Sequence, residues 1–75
     1  MNWRDYIVSD PRILVGKPTL KGTRISVKLV LELLGAGWTQ EEVLENYPTL
    51  TPEMLQAAFA YAAEAVQDEA VHPAA

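Results

Sequence analysis

The feature that most constrains this chain is a pair of marked helix starts in its second half. Thr39-Gln40-Glu41-Glu42 is a capping box. The Thr39 hydroxyl can accept from the Glu42 amide, while the Glu42 carboxylate reaches back to the Thr39 amide. Trp38 and Val43 are placed for a hydrophobic staple across that cap. Thr51 precedes Pro52, whose missing N–H costs nothing at a first helical position, and Leu50 can staple onto Leu55. Pro48 between the two starts ends the earlier helix near Asn46-Tyr47. The spacing therefore predicts one short helix, a tight turn and then a longer helix running to about Asp68.

A further helix precedes these. Ser26 is a plausible N-cap, and Val27, Val30, Leu31 and Leu34 recur at helical spacing on one stripe. Leu29 and Leu33 widen that stripe beyond what one packing surface needs, and Gly35-Ala36-Gly37 ends the helix. In the last helix, Leu55, Phe59, Ala62 and Val66 form the expected core stripe, with Ala58 and Ala65 beside it. Ala57, Ala60 and Ala63 add a small-residue face that another backbone could approach, although alanine also serves simply as the best helix former.

The first third reads as non-helical. Tyr6-Ile7-Val8 and Ile13-Leu14-Val15 are short β-prone runs separated by Ser9-Asp10-Pro11-Arg12, a good turn sequence. Thr23-Arg24-Ile25 follows Gly22 as a candidate last strand. An isolated hairpin is barely stable in water, so this arm has to lie on the helices or on another subunit. In a chain of 75 residues without cysteine, no disulfide or thiolate metal site can supplement the small core.

Charge is segregated along the chain. All six basic residues, Arg4, Arg12, Lys17, Lys21, Arg24 and Lys28, fall in the first 28 positions beside only Asp5 and Asp10, a net +4. The rest holds eight acids and no lysine or arginine, a net -8, so the whole carries -4. Such polarity implies a basic handle on an acidic body. The bland alternative is ordinary solvated surface.

Chemistry is sparse. The only histidine, His72, adjoins Pro73 in the tail, and no thiol is present. Glu41, Glu42, Glu45 and Glu53 sit where capping, helix-end electrostatics and solubility explain them. Gly16-Lys17-Pro18-Thr19 lacks the glycine pattern and the hydroxyl residue of a phosphate-binding loop. A self-contained enzyme is not expected, and no cofactor or metal site is read. The longest greasy stretch, Leu29 to Leu34, is interrupted by Glu32 and far short of the roughly 20 residues that a membrane span needs. A cytoplasmic location is the default expectation.

Three helices with a short second and a longer third have the outline of a helix-turn-helix. The exposed start of the third helix offers Thr51, Glu53 and Gln56, with Tyr61 a further candidate, but no cation. Gln56 could read an adenine edge, yet phosphates would repel Glu53. Contact with nucleic acid or a partner is better served by Arg12, Lys17, Lys21, Arg24 and Lys28.

The run Gly16-Lys17-Pro18-Thr19-Leu20-Lys21-Gly22-Thr23-Arg24-Ile25-Ser26-Val27 resembles a prokaryotic family known as domain of unknown function 433. Leu34 to Leu44 and Tyr47-Pro48-Thr49-Leu50-Thr51 extend the likeness over roughly residues 5–63. The resemblance implies a homeodomain-like helix-turn-helix with an N-terminal β arm and no catalytic residues. It also implies the antitoxin half of a toxin–antitoxin pair, whose toxin resembles a PIN-type ribonuclease. Gly16 and Gly22 permit sharp reversals, and Pro18 stiffens the link between them. Arg24 either ties the arm through backbone carbonyls or an acidic helix face, the reading we favour, or meets phosphate.

The expected architecture is thus mainly α: a three-helix, homeodomain-like helix-turn-helix bundle with a short N-terminal β arm or hairpin. One domain spans 1–70, with the arm over 1–25, the body over 26–70 and a flexible tail over 71–75. The expected function is a non-catalytic binding protein, a homodimer that masks a ribonuclease-like toxin and also engages operator DNA. The alternatives are a stand-alone DNA-binding regulator and a structural dimerisation protein.

Overall fold

A computed structural model describes residues 1–67; Asp68, His72 and the tail expected over 71–75 lie outside the described residues. Three helices, α1 (Val27–Gly35), α2 (Gln40–Asn46) and α3 (Pro52–Val66), form a bundle. Two short strands, β1 (Ile7–Val8) and β2 (Thr19–Leu20), pair antiparallel, with Ile7 opposite Leu20 and Val8 opposite Thr19. The protein is mainly α, a three-helix bundle with a short N-terminal β hairpin.

The helix starts follow the local chemistry read from the sequence. The Ser26 side chain accepts from the Leu29 amide at 3.0 Å. Both halves of the Thr39–Glu42 capping box are made, at 3.1 and 3.0 Å. Thr51 accepts from the Met54 amide ahead of Pro52. The α1 exit is a Schellman motif: the Trp38 amide donates to the Leu33 carbonyl and the Gly37 amide to the Leu34 carbonyl, each at 3.1 Å. That closure requires a left-handed residue, and Gly37 takes it at φ 102° without Cβ strain.

The core joins arm and bundle. Ile7 and Leu20 from the hairpin are buried with Val27 and Val30 of α1, Val43 of α2, Leu50, and Leu55, Ala57 and Ala58 of α3. The leucines of α1 divide their roles. Leu31, Leu33 and Leu34 are half-buried and pack against this cluster, so α1 uses its surplus apolar surface on more than one neighbour.

Two expectations for the arm are corrected. Ile13-Leu14-Val15 is not a strand, and β1 does not pair with it. Residues Leu14–Gly16 form a tight 3₁₀ turn in which Leu14 and Val15 hold left-handed backbone at φ 50° and 55°, and Gly16 continues it at 78°. The partner of β1 is Thr19–Leu20, because that register puts both Ile7 and Leu20 in the core. Thr23-Arg24-Ile25 is likewise no strand but the return of a turn. It is held by Leu20 N–H to the Ile25 carbonyl at 2.9 Å and by the Thr23 hydroxyl to the Leu20 carbonyl at 2.7 Å.

The core face of α3 is also rotated from the expected one. Leu55 is buried, but Phe59 is 43% and Val66 53% exposed. The buried side runs through Ala58, as expected, and Ala57, and Tyr61 is half-buried rather than offered at an exposed surface. The arm causes the difference, since the first 3₁₀ turn (Trp3–Asp5) and β1 both pack on α3. Ala57, Tyr61 and Glu64 share one helical stripe, and the small Ala57 side chain lets the arm come close. Of the three alanines on the expected small-residue face, Ala57 is buried, Ala60 half-buried and Ala63 exposed.

Candidate functional site

Where the arm crosses the bundle, a cleft of about 540 Å³ opens. The arm contributes Lys17 and Pro18, α1 contributes Val27, Lys28, Leu31 and Glu32, and α3 contributes Tyr61. Each element presents its residue for a local reason. Pro18 fixes an extended backbone, and its carbonyl accepts from the Val27 amide at 3.0 Å, which seats the arm against the start of α1. Val27, Lys28, Leu31 and Glu32 are neighbours at helical spacing. Tyr61 comes from the side of α3 on which the first turn of the arm packs, with Trp3 against its ring.

Pro18, Val27, Leu31 and the Tyr61 ring give the cleft an apolar lining, with charge at its rim. Lys28 Nζ lies 3.6 Å from Glu32 Oε1, with both side chains mostly exposed, a loose pair that a better partner can displace. Lys17 is exposed and makes no ion pair among the described residues. The polar equipment is two ammonium groups, one carboxylate and one phenol. That set suits binding of an apolar group accompanied by negative charge.

Of the basic residues singled out from the sequence, the structure brings Lys17 and Lys28 together at this cleft. Arg12 is engaged locally. Its Nε and Nη2 reach the two Asp10 carboxylate oxygens at 3.1 and 3.0 Å, and the Arg12 guanidinium holds the Asp10 carboxyl below the ordinary aspartate range. Lys21 and Arg24 are exposed on the turn after β2. Arg24 makes neither a side-chain hydrogen bond to a backbone carbonyl nor an ion pair with a helix acid among the described residues, so the structural role favoured for it has no partner there. Gln56 is exposed on α3 and does not line the cleft.

A second cluster had no sequence signal. The Trp3 ring meets Tyr61 edge-on, with centroids 5.0 Å apart and an interplanar angle of 87°. Trp3 Nε1–H donates to Glu64 Oε2 at 2.6 Å, and Arg4 Nη2 donates to Glu64 Oε1 at 3.0 Å. The Arg4 guanidinium also lies 4.3 Å over the Trp3 ring. Those two donors, Trp3 first and Arg4 second, hold the Glu64 carboxyl below the usual glutamate range. Only the excess of aromatic and basic character at Trp3-Arg4 could have hinted at an anchor, and nothing local names its partner. Tyr61 belongs to both clusters, so the cleft and the arm anchor share a side chain.

The remaining charged surface is acidic. Glu41, Glu45 and Glu53 are exposed and carry no ion pair among the described residues. Glu42 is held below the usual range by the Thr39 backbone amide. Among the described residues no group of three or more His, Cys, Asp or Glu could hold a metal ion, and no helix is long and apolar enough to cross a membrane.

A family model described as protein of unknown function, DUF433, matches residues 7–62. The chain belongs to the DUF433 family. The match bears out the resemblance carried by Gly16 to Val27, and it contains every residue of the cleft, whereas Trp3, Arg4 and Glu64 fall outside it. The chain is similar to a crystal structure of a DUF433 member from Anabaena variabilis, with a TM-score of 0.76 and 32% identity over 88% of this chain and 64% of that one. It is also 39% identical over 59 residues to an uncharacterized protein of Sinorhizobium fredii, y4eO. That alignment takes in 79% of this chain and 27% of the relative, so the chain spans about a quarter of that relative's length.

Proposed function

We propose that this DUF433 protein is a non-catalytic, antitoxin-like binding protein. It works as a homodimer and masks the basic nucleic-acid cleft of a ribonuclease-like toxin with its acidic helical surface. The observation that carries the reading is the unpaired set Glu41, Glu45 and Glu53, exposed on α2 and at the start of α3. Carboxylates free of internal partners can meet the lysines and arginines of a nucleic-acid cleft by charge complementarity. The order of a short α2, a tight turn and a longer α3 supports a helix-turn-helix kinship, while the acidic start of α3 turns that helix away from phosphate and toward a basic protein.

The test is co-expression with the product of the adjacent reading frame, followed by purification and a ribonuclease assay. A stable complex with suppressed cleavage is expected. Reversal of Glu41, Glu45 and Glu53 to lysine should weaken it about a hundredfold, in line with lost complementary charge at an interface. No complex at micromolar concentrations overturns the reading.

One observation favours a second reading. Lys17, Lys21 and Arg24 are exposed and unpaired among the described residues, so the arm has cations to offer DNA phosphates. Binding that weakens steeply with salt supports it, with a slope set by the phosphates engaged. Absence of binding to upstream DNA at low salt removes it.

A further inference from the structure

We infer that the cleft between the arm, α1 and Tyr61 is a docking groove for an acidic peptide segment of a partner protein. That segment inserts an apolar side chain over Pro18, Val27 and Leu31 and presents a carboxylate to the Lys17 and Lys28 ammoniums. This surface shares no residue with the acidic one invoked above, and the inference holds whether or not the partner is a ribonuclease.

Three observations select this occupant. The lining is apolar and the cavity, about 540 Å³, has room for a large aliphatic or aromatic side chain. The rim is cationic: Lys17 is unpaired among the described residues, and Lys28 is held only by the 3.6 Å contact with Glu32. A carboxylate arriving there gains two partners and displaces one weak pair. The third observation distinguishes a peptide from a free small molecule. Just upstream of Lys17, Leu14 is 37% and Val15 92% exposed, both held out by left-handed backbone. A strained valine almost wholly in water gains nothing within this chain. Two residues before the rim lysine Lys17 in the chain, it offers apolar surface outside the cleft that a longer ligand can cover and a compact one cannot.

Tyr61 supplies a built-in reporter. Its ring lines the cleft and also meets Trp3, whose indole N–H is donated to Glu64. Occupancy should therefore shift the Trp3 indole resonance and leave that of Trp38, which does not line the cleft, in place.

The test titrates the full chain, ¹⁵N-labelled, with three probes at up to millimolar concentration. They are a capped peptide with phenylalanine flanked by glutamates, the same peptide with lysines in their place, and hydrocinnamate as a free carboxylate. The acidic peptide is expected to move the amides of Lys28 and Leu31 and the Trp3 indole. Lys17→Glu combined with Lys28→Glu should weaken it about tenfold, the loss expected of two partly exposed ion pairs. Both lysines are exposed, and an unchanged Trp38 resonance verifies the fold of that variant. Val15→Ser should weaken the peptide and leave hydrocinnamate unaffected. Equal binding of the lysine peptide overturns the charge selectivity, hydrocinnamate matching the acidic peptide overturns the peptide assignment, and no shift with any probe overturns the site.

Discussion

The arm and the helical body are held in place by different physics. In the body, each helix begins at a side-chain cap, Ser26, Thr39 or Thr51, and α1 ends in a Schellman closure at Gly37. Those devices act within a few residues of the groups they satisfy. The arm has only two strand residues on each side of its hairpin and holds Leu14 and Val15 in left-handed backbone. It stays in place through contacts distant in sequence: Ile7 and Leu20 in the core, Pro18 against Val27, and Trp3 and Arg4 on α3. A segment with little internal order thus becomes part of the fold by borrowing the ordered surface of another. The cleft lies on the seam between the two, which is why it can be lined by both.

This contrast can be broken most severely at the shared core. Leu55→Ala should cost about 3 kcal/mol, typical of a buried leucine truncated to alanine. A small domain has a total stability of only about 5 kcal/mol or slightly more, so arm and body should melt together in one shifted urea transition. Separate transitions for the two regions would show that the core does not unite them.

Trp3→Ala should loosen the arm more than the body, with a loss of about 2 kcal/mol from its half-buried ring and the aromatic contact with Tyr61. The exchange of the Lys21 amide, bonded to the Tyr6 carbonyl at 2.8 Å, should accelerate by a larger factor than that of the α2 amides. Equal loss of protection in α2 would refute the separation. Thr39→Ala is the reciprocal test, expected to remove about 1 kcal/mol by opening the α2 cap. It should leave the Trp3 indole resonance unmoved.

Val15→Gly sharpens the comparison from the opposite direction. A left-handed residue with a Cβ costs roughly 1–2 kcal/mol, and glycine returns about 0.5–1 kcal/mol of that as chain entropy, so the melting temperature should hold or rise slightly. A clear fall would show that the exposed valine makes contacts within this chain. The smallest effect concerns pH. The Glu64 carboxyl titrates lower in the folded protein than in the unfolded chain. Its contribution is therefore complete above the ordinary glutamate range and fades as pH drops through the depressed folded value. The Trp3 indole resonance should follow that acid transition in the parent protein, and Glu64→Gln should abolish it.

What the sequence determined by itself was the local grammar. Ser26, the Thr39–Glu42 box, Thr51-Pro52 and the Gly35–Gly37 stop place the helices because each works through neighbours only a few residues away. The Gly16 to Val27 run carried the family for the same reason, as a continuous stretch. The site was legible only in fragments. Lys17 and Lys28 stood out as cations, but nothing in their spacing said that Pro18, Leu31 and Tyr61 would join them. Tertiary structure alone decided that β1 pairs with Thr19–Leu20, that α3 turns Tyr61 inward and Phe59 outward, and that Trp3 reaches Glu64. Each depends on burying surface between segments far apart in the chain. Periodicity names the faces a helix could bury, and only the partner that arrives, here the arm, determines which one it does.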